Sequence, residues 1–267
     1  MQDIPSTLFY YGHNIGRRIT KSSIGKLVVV AVVIVGIAMY IRHFKSDSST
    51  VDIAGSHSPA VTQANTATSE LVPIDIKLPK PMFTTGPYPP RVPNLEKPRG
   101  KARPPFFAPV GTRNVALGKP VSSSSLEIIA GDFLMITDGD KEIGRNSCVE
   151  LLPFSQHITI DLQVEHNIYA IVIWHYHRQH RVYYDIVVQV ADDPDFITNV
   201  RTLFNNDIDN SAGLGVGKNM HYTETSEGKL INANGVKARY VRLYSNGNTS
   251  NDLNHYIEVE VYGKSAE

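Results

Sequence analysis

The sequence predicts an all-β fold, an antiparallel β-sandwich, preceded by one transmembrane helix and a Pro-rich linker. Residues 157–162 and 256–262 alternate apolar and polar side chains, which is typical of strands with one buried face. After Asn114 no long stretch repeats its apolar residues with the helical period of 3.6. Turn-rich segments at 192–195, 205–218 and 245–254 separate the strands, so a two-sheet sandwich follows.

Two further strands complete the predicted core. Residues 168–174 are apolar at nearly every position, which indicates a central strand covered on both faces. Residues 237–244 supply another strand of mixed composition. The predicted organisation is a cytoplasmic N-terminal segment (1–23), a transmembrane helix (24–44), a Ser/Thr-rich and then Pro-rich linker (45–110) and the sandwich domain (111–264).

The transmembrane prediction rests on the unbroken apolar run from Leu27 to Ile41. Fifteen helical residues reach about 22 Å, short of the roughly 30 Å hydrocarbon core, and flanking Lys26 and Arg42 extend the span by snorkelling. A cleaved signal peptide is the alternative, but no small-x-small cleavage site follows the run. Four cationic residues precede the helix and two follow it closely. This places the N-terminus in the cytoplasm, the helix in the cytoplasmic (inner) membrane and the C-terminal domain in the periplasm or outside.

The linker changes composition along its length. Residues 73–109 hold eleven of the chain's sixteen prolines, which predicts extended, polyproline-like chain. Such a segment is either a stalk of on the order of 100 Å or a strip that lies on a partner's surface. The aromatic cluster at residues 8–13 is similarly either an interfacial belt or a docking strip for another membrane subunit.

Composition limits the partners and the redox chemistry. The chain has 26 Lys and Arg residues and 26 Asp and Glu residues, so no net field attracts nucleic acid, which we exclude as a partner. The single Cys148 makes no intramolecular disulfide and is expected to be a small buried residue.

Five motifs in order make the domain resemble the discoidin-like family (coagulation-factor C-type, galactose-binding-domain-like). They are Asn114–Pro120 with its following Ser run, Ile136–Asp140, Ile158–Leu162, Ala238–Leu243 and Glu258–Gly263. The resemblance covers residues 112–264. It implies an eight-stranded jelly-roll sandwich that is usually non-catalytic and binds glycans, lipids or proteins through loops at one end.

The resemblance also implies a structural calcium ion. The matching positions are Asp138 and Asp140 in the Asp-Gly loop and Glu258 on the last strand, and hard oxygen ligands suit Ca²⁺. The family often has Thr-Arg-Trp shortly after this loop, where this chain has Asn146-Ser-Cys148. Without calcium, Asp138 would cap the backbone of its own loop.

Two polar loops are the predicted ligand-binding surface. Their candidate contact residues are His175, Tyr176, His177, Arg178, His180 and Arg181 in the first loop and Asn246, Asn248, Asn251 and His255 in the second. Side chains with an apolar face and a polar edge suit carbohydrate or protein contacts. The alternative for the first loop is that these residues are solvent-exposed side chains at the end of a hairpin and bind no ligand. A zinc pair at His175 and His177, completed by His221 or His255, is a further one. The asparagines suit either sugar hydroxyls or their own tight turns.

Enzymatic motifs fail when tested in detail. Glu258 and Glu260 lie about 7 Å apart on one strand face, but neighbours on one strand do not flank a glycosidic bond, so we expect the polar face of an amphipathic strand. Gly213–Lys218 lacks the glycine and the Ser/Thr of a phosphate-binding loop. We therefore expect no enzyme.

The leading hypothesis is a membrane-anchored module that binds a glycan or protein partner. The alternative is an accessory subunit of a membrane complex of respiratory or photosynthetic type, with the helix, leader and Pro-rich strip as contact surface.

Overall fold

The computed structural model describes residues 70–82, 90–144 and 147–266 of the chain. The predicted anchor at 24–44, the aromatic leader and the first part of the linker lie outside these residues. Among the residues described, no helix has the length and apolar character needed to cross a bilayer.

The described residues form short and long β-strands and one 3-10 turn. In chain order the elements are β1 (Leu71–Pro73), β2 (Phe107–Pro109), β3 (Arg113–Asn114), β4 (Val121–Ser123), β5 (Ile128–Ala130), the 3-10 turn Phe133–Ile136, β6 (Val149–Leu151), β7 (Gln156–Trp174), β8 (Val187–Ala191), β9 (Arg201–Asn205), β10 (Lys229–Ser245), β11 (Asn254–Tyr256) and β12 (Glu258–Ser265).

These strands form antiparallel sheets, as the sequence predicts. A seven-stranded sheet has the order β3-β12-β7-β10-β8-β9, with β4 paired to the first half of β7. A three-stranded sheet has the order β11-β6-β5, and β1 pairs with β2 in a separate ribbon. The resemblance implies eight strands. Here β7 and β10 are long strands that pair along most of their length, with two register shifts between them.

The main core lies between the two larger sheets. Ile158, Ile160 and Ile171 of β7 are fully buried and belong to one apolar cluster with Val149 and Leu151 of β6. The prediction of a covered central strand at 168–174 is confirmed, because all of these residues except Tyr169 are fully buried. The predicted strand at 237–244 is also confirmed, as part of β10.

The outer face of the large sheet is covered by the chain itself. Trp174, Val172 and Tyr262 form a second apolar cluster, against which Ile74 and Phe106 pack. The backbone N–H of Ile74 donates to the carbonyl of Phe106 at 2.8 Å. The described part of the predicted linker is thus attached to the sandwich, because its scattered apolar residues cover an apolar sheet face that would otherwise meet water.

Residues 90–106, which we call the strap, continue this attachment along the loop that precedes β10. Leu95 forms a parallel bridge with His221, and the N–H of Glu96 donates to the His221 carbonyl at 2.8 Å. Arg99 forms an ion pair with Glu227. Proline limits the backbone hydrogen bonds of the strap, so side-chain contacts hold much of it in place.

The last strand differs from its prediction. Residues 256–262 are expected to expose one polar face, but every residue of β12 from Glu258 to Gly263 is buried, so this prediction is wrong. The reason is that β12 lies inside the large sheet between β3 and β7, with its outer face beneath residues 74 and 106. Cys148 is buried as expected, and burial raises the pKa of its thiol to about 12.

Candidate functional site

Two loops far apart in sequence meet at one end of the sandwich. Tyr183 and Asn248 form an antiparallel bridge. The N–H of Tyr184 donates to the Gly247 carbonyl at 3.1 Å, and the N–H of Thr249 donates to the Val182 carbonyl at 3.0 Å. The structure thus brings together the segments that follow β7 and β10, which hold all ten predicted ligand-binding residues. We call this surface the polar end.

The asparagines of the second loop build its turns. The Asn248 side chain accepts from the N–H of Ser250 at 2.9 Å and donates to the Leu253 carbonyl at 2.9 Å and to Asn251 Oδ1 at 2.8 Å. Asn246 donates to Asp185 Oδ2 at 2.8 Å. Gly247 has a φ of 71°, which a glycine adopts without strain. Asn248 is therefore a turn residue, while Asn251 is exposed at the surface.

Besides Asn248, four of the predicted residues are buried beneath this surface. His175, His177, Arg181 and His255 are at most 9% exposed. His175 Nδ1 lies 2.6 Å from Glu224 Oε1, with both side chains almost fully buried. The His175 ring also stacks on Tyr183, with centroids 4.4 Å apart. His177 Nε2 lies 3.2 Å from the carbonyl oxygen of Lys141.

Burial determines the protonation of two of these histidines. It lowers the pKa of His255 to about 4, with Arg181 as a further cause. Burial also lowers the pKa of His177 below its ordinary value. Both rings are therefore neutral at pH 7, and they form an uncharged floor under the loops.

The described residues do not complete the zinc site predicted at His175 and His177. His175 and His177 are directed to different partners, Glu224 and the Lys141 carbonyl. In the described residues, the one set of three or more His, Cys, Asp or Glu side chains close enough to share an ion contains no histidine.

The exposed part of the polar end is small and mostly uncharged. Arg178 is exposed, while Tyr176, His180 and Asn246 are half-buried. Arg181 does not join them, because its guanidinium lies 4.5 Å from the centroid of the Tyr176 ring and donates to Gln179 Oε1 at 3.0 and 2.9 Å. Within the part of the chain that the structure describes, the surface therefore offers the Arg178 guanidinium, amides, hydroxyls and the edge of an aromatic ring.

The predicted calcium loop lies next to Glu258. The N–H of Gly139 donates to Glu258 Oε2 at 3.1 Å, while Glu258 Oε1 is buried and has no hydrogen-bond partner among the described residues. Burial, with Glu260 and Asp138 nearby, raises the pKa of Glu258 to about 9. Asp138 Oδ1 accepts from the N–H of Asp140 at 2.8 Å, as in the capped-loop alternative. An orphaned carboxylate oxygen next to this loop fits a cation that would neutralise it.

The two glutamates of β12 have different partners. Glu260 accepts from Lys141 Nζ at 2.5 Å and from the Tyr262 hydroxyl at 2.8 Å. The sequence assigned Glu258 and Glu260 to a polar surface face, and that assignment is wrong, since both are buried. Both Glu260 oxygens are occupied within the protein, so this pair offers no accessible acid and base.

One acidic group was not predicted. Carboxylate oxygens of Asp185, Asp207 and Asp209 lie within 4.8 Å of one another. Asp207 accepts from the N–H groups of Ser211 and Ala212, at 3.0 and 2.9 Å. These bonds hold the loop after β9 in place. Glu224 and Tyr183 were likewise not singled out from the sequence, because a buried partner in a distant loop has no local pattern.

Comparisons with known proteins found similar solved structures. Neither family models nor curated proteins match the sequence. Chitosan-binding module 1 derived from a chitosanase/glucanase of Paenibacillus sp. IK-5 is 19% identical over 57% of this chain and 99% of that chain, with a TM-score of 0.39. CpGH89CBM32-4 of Clostridium perfringens, in complex with GlcNAc-alpha-1,4-galactose, is 15% identical over 58% and 96%, with a TM-score of 0.43. CBM32 of AlyQ, in complex with 4,5-unsaturated mannuronic acid, is 19% identical over 53% and 92%, with a TM-score of 0.37.

Proposed function

We propose that this chain is a non-catalytic binding module that holds a glycan at its polar end. The observation that carries the proposal is the pairing of two loops, through Tyr183 and Asn248, into one surface of amides, hydroxyls and Arg178. Such groups satisfy sugar hydroxyls as donors and acceptors, and the edge of Tyr176 offers an apolar contact. The buried histidines hold the loops in position.

A protein partner fits this surface less well. The predicted contact residues that are exposed or half-buried are polar apart from the ring of Tyr176, whereas the centre of a stable protein interface is depleted of charged residues and rich in aromatic ones. The accessory-subunit hypothesis also counted on a free Pro-rich strip. The described part of that strip packs on the chain's own sheet, which leaves less of it for a neighbour.

We further propose that the module is held at a membrane by residues 24–44 and faces the periplasm or exterior. This proposal rests on the apolar run and on the excess of cationic residues before it. A structural calcium ion beside Asp138, Asp140 and Glu258 belongs to the same proposal. These oxygens would hold it, and it would neutralise the buried Glu258 carboxylate.

A binding experiment tests the proposed function. The full-length chain, purified in mild detergent, is applied to a glycan array, and Arg178→Ala with His180→Ala is compared with the wild type. We expect the double variant to lose at least about tenfold in affinity for the captured glycan, as loss of a hydrogen bond to a charged group implies. Arg201→Ala, an exposed arginine on β9, is the control and should bind normally. A silent array, or equal binding by the double variant at an unchanged melting temperature, would refute the polar end as the site.

A further inference from the structure

A second groove lies outside the polar end, between the strap and the loop that leads into β10. Its volume is about 500 Å³, within the range of roughly 300–1,000 Å³ that is usual for ligand sites. One wall is formed by residues 96–103 of the strap and the other by residues 222–230. None of the ligand-binding residues predicted from the sequence lines this groove.

The groove is strongly cationic, although the whole chain is balanced. Its lining holds five cations, Lys97, Arg99, Lys101, Arg103 and Lys229, against two carboxylates, Glu96 and Glu227. The excess of three positive charges is therefore local. Every second residue from 97 to 103 is cationic, and all four line the groove.

Some of these charges hold the walls together. Glu227 pairs with Arg99 through one oxygen and accepts the N–H of Arg103 through the other, at 3.1 Å. The Arg103 guanidinium donates to the Gly228 carbonyl at 3.0 Å. Lys229 pairs with Glu96 at 2.8 Å. The groove is thus built before any ligand arrives, which lowers the entropic cost of binding.

Two lysines remain available for a ligand. Lys97 and Lys101 are exposed, and within residues 70–82, 90–144 and 147–266 neither takes part in an ion pair or a side-chain hydrogen bond. Thr223 and Ser226 add hydroxyl groups on the facing wall. A ligand that meets all of these groups carries an anion and also hydrogen-bonding hydroxyls.

We propose that this groove binds an acidic saccharide, with sugars that carry carboxylate or sulfate groups, as a subsite separate from the polar end. The proposal rests on the proposed glycan-binding function and names the class of glycan. The two carboxylates in the groove disfavour a densely charged polyanion such as nucleic acid, but they accept hydrogen bonds from sugar hydroxyls. Lys97 and Lys101 supply the attraction for the acidic group.

The test compares acidic and neutral sugars on the full-length chain in mild detergent. The probes are an oligogalacturonate, a neutral galactan oligosaccharide of equal length and a polyglutamate peptide, measured by calorimetry at low and high salt. We expect the oligogalacturonate to bind more tightly than the other two and to weaken as salt increases. Lys97→Gln with Lys101→Gln should reduce its affinity by about tenfold at low salt. The corresponding Lys→Arg pair should retain binding.

The control removes the same charge elsewhere. Lys218 and Lys264 do not line the groove, and their double Gln variant should bind oligogalacturonate as the wild type does. Equal affinity of the Lys97/Lys101 variant and the wild type, or equally tight binding of polyglutamate, overturns the proposal. If the chain binds neutral sugar at the polar end and binds galacturonate no more tightly, the groove proposal is refuted and the polar end stands. Neutral-glycan binding that is indifferent to Arg178→Ala with His180→Ala refutes the polar end. Galacturonate binding that is indifferent to this pair but is weakened by Lys97→Gln with Lys101→Gln leaves the groove standing.

Discussion

Gly228 lies directly against the indole ring of Trp174. A Cβ placed on Gly228 would stand 2.7 Å from Cε2 of Trp174 and 2.8 Å from the carbonyl oxygen of Ile173. The Trp174 indole N–H donates to the Ser226 carbonyl at 3.0 Å, and Arg103 donates to the Gly228 carbonyl. The central strand, the loop before β10 and the strap are therefore joined at one point, which also forms a wall of the cationic groove.

The first prediction concerns this contact. Gly228→Ala should lower the free energy of unfolding by about 2–5 kcal/mol, because it adds a steric clash with backbone and ring to an unfavourable backbone angle. The φ of Gly228 is 64°. Gly215 is the matched control, since its φ is 93° and nothing lies within 4 Å of its Cβ position. Urea unfolding of both variants measures the difference, and an equal loss for both would contradict the tight contact.

The sequence is sufficient to predict the central strand but not what covers it. Residues 168–174 are apolar on both faces, so a strand buried on both sides follows. The cover on its outer face comes from Ile74, Ile76 and Phe106, which lie in the Pro-rich segment. Ile74 and Ile76 alternate with Asp75 and Lys77 as in a strand, but so short a pattern between prolines does not indicate which surface it covers.

The sequence was sufficient to predict that two polar loops form the polar end. It was not sufficient to predict which of their residues are buried and which are exposed. His175 and Arg178 are three residues apart in the same polar run, yet one is fully buried and the other exposed. The difference arises from Glu224, which lies 49 residues away from His175. The same holds for Glu260, whose buried partner Lys141 is 119 residues distant. Such pairing turns polar residues into core residues without a local signal.

The second prediction concerns the buried pair His175 and Glu224. Removing one partner leaves the other buried and unpaired, so His175→Ala and Glu224→Ala should each cost about 3–5 kcal/mol. The double variant should cost less than the sum, because the two side chains interact directly. A double-mutant cycle by urea unfolding measures the coupling. The exposed pair Lys237 and Glu165, at 2.7 Å, is the control, and its coupling should be close to zero. Strict additivity at His175 and Glu224 would argue against the pair.

The third prediction concerns acid stability. The pKa of His255 is about 4 in the folded protein and 6.5 ordinarily, so the folded state favours the neutral ring. The stability that this ring contributes is complete above pH 6.5 and is lost as the pH falls from 6.5 towards 4. His255→Gln removes the titration. It should therefore make the loss between pH 7 and pH 5 smaller by about 1–2 kcal/mol.

Charged groups near His255 affect how its contribution to acid stability is measured. Arg181 and His175 oppose protonation of His255, while Glu150 Oε1 lies 3.7 Å from its Nε2. Other groups titrate in the same range, so the informative quantity is the difference between the wild-type and variant slopes of unfolding free energy against pH. Parallel slopes would show that His255 is not the group responsible.

The fourth prediction concerns Glu258 and calcium. Replacing Glu258 should stabilise the fold when calcium is absent and should make the protein less stable than the wild type when calcium is in excess. The folded pKa of Glu258, about 9, lies above its ordinary value of 4.5. Without a cation, this group therefore destabilises the fold increasingly as the pH rises from 4.5 towards 9. In chelator at pH 8, Glu258→Gln should be more stable than the wild type by about 1–3 kcal/mol, because the wild-type carboxyl must take up a proton on folding and the amide need not. The gain should shrink at pH 5, and Glu127→Gln, at an exposed position, should show neither effect.

With excess calcium the order should reverse. An ion that binds only the folded state raises its stability by mass action, and it needs Glu258 Oε1, which has no other partner in the described residues. The wild type should then melt at a higher temperature than in chelator, while Glu258→Gln should not respond. Magnesium is a stringent control, because it demands shorter bonds and octahedral geometry and should stabilise the wild type less. A wild-type melting temperature that is the same in calcium and in chelator would remove the metal, while the pH effect of Glu258 would remain as the property of a buried, unpaired carboxylate.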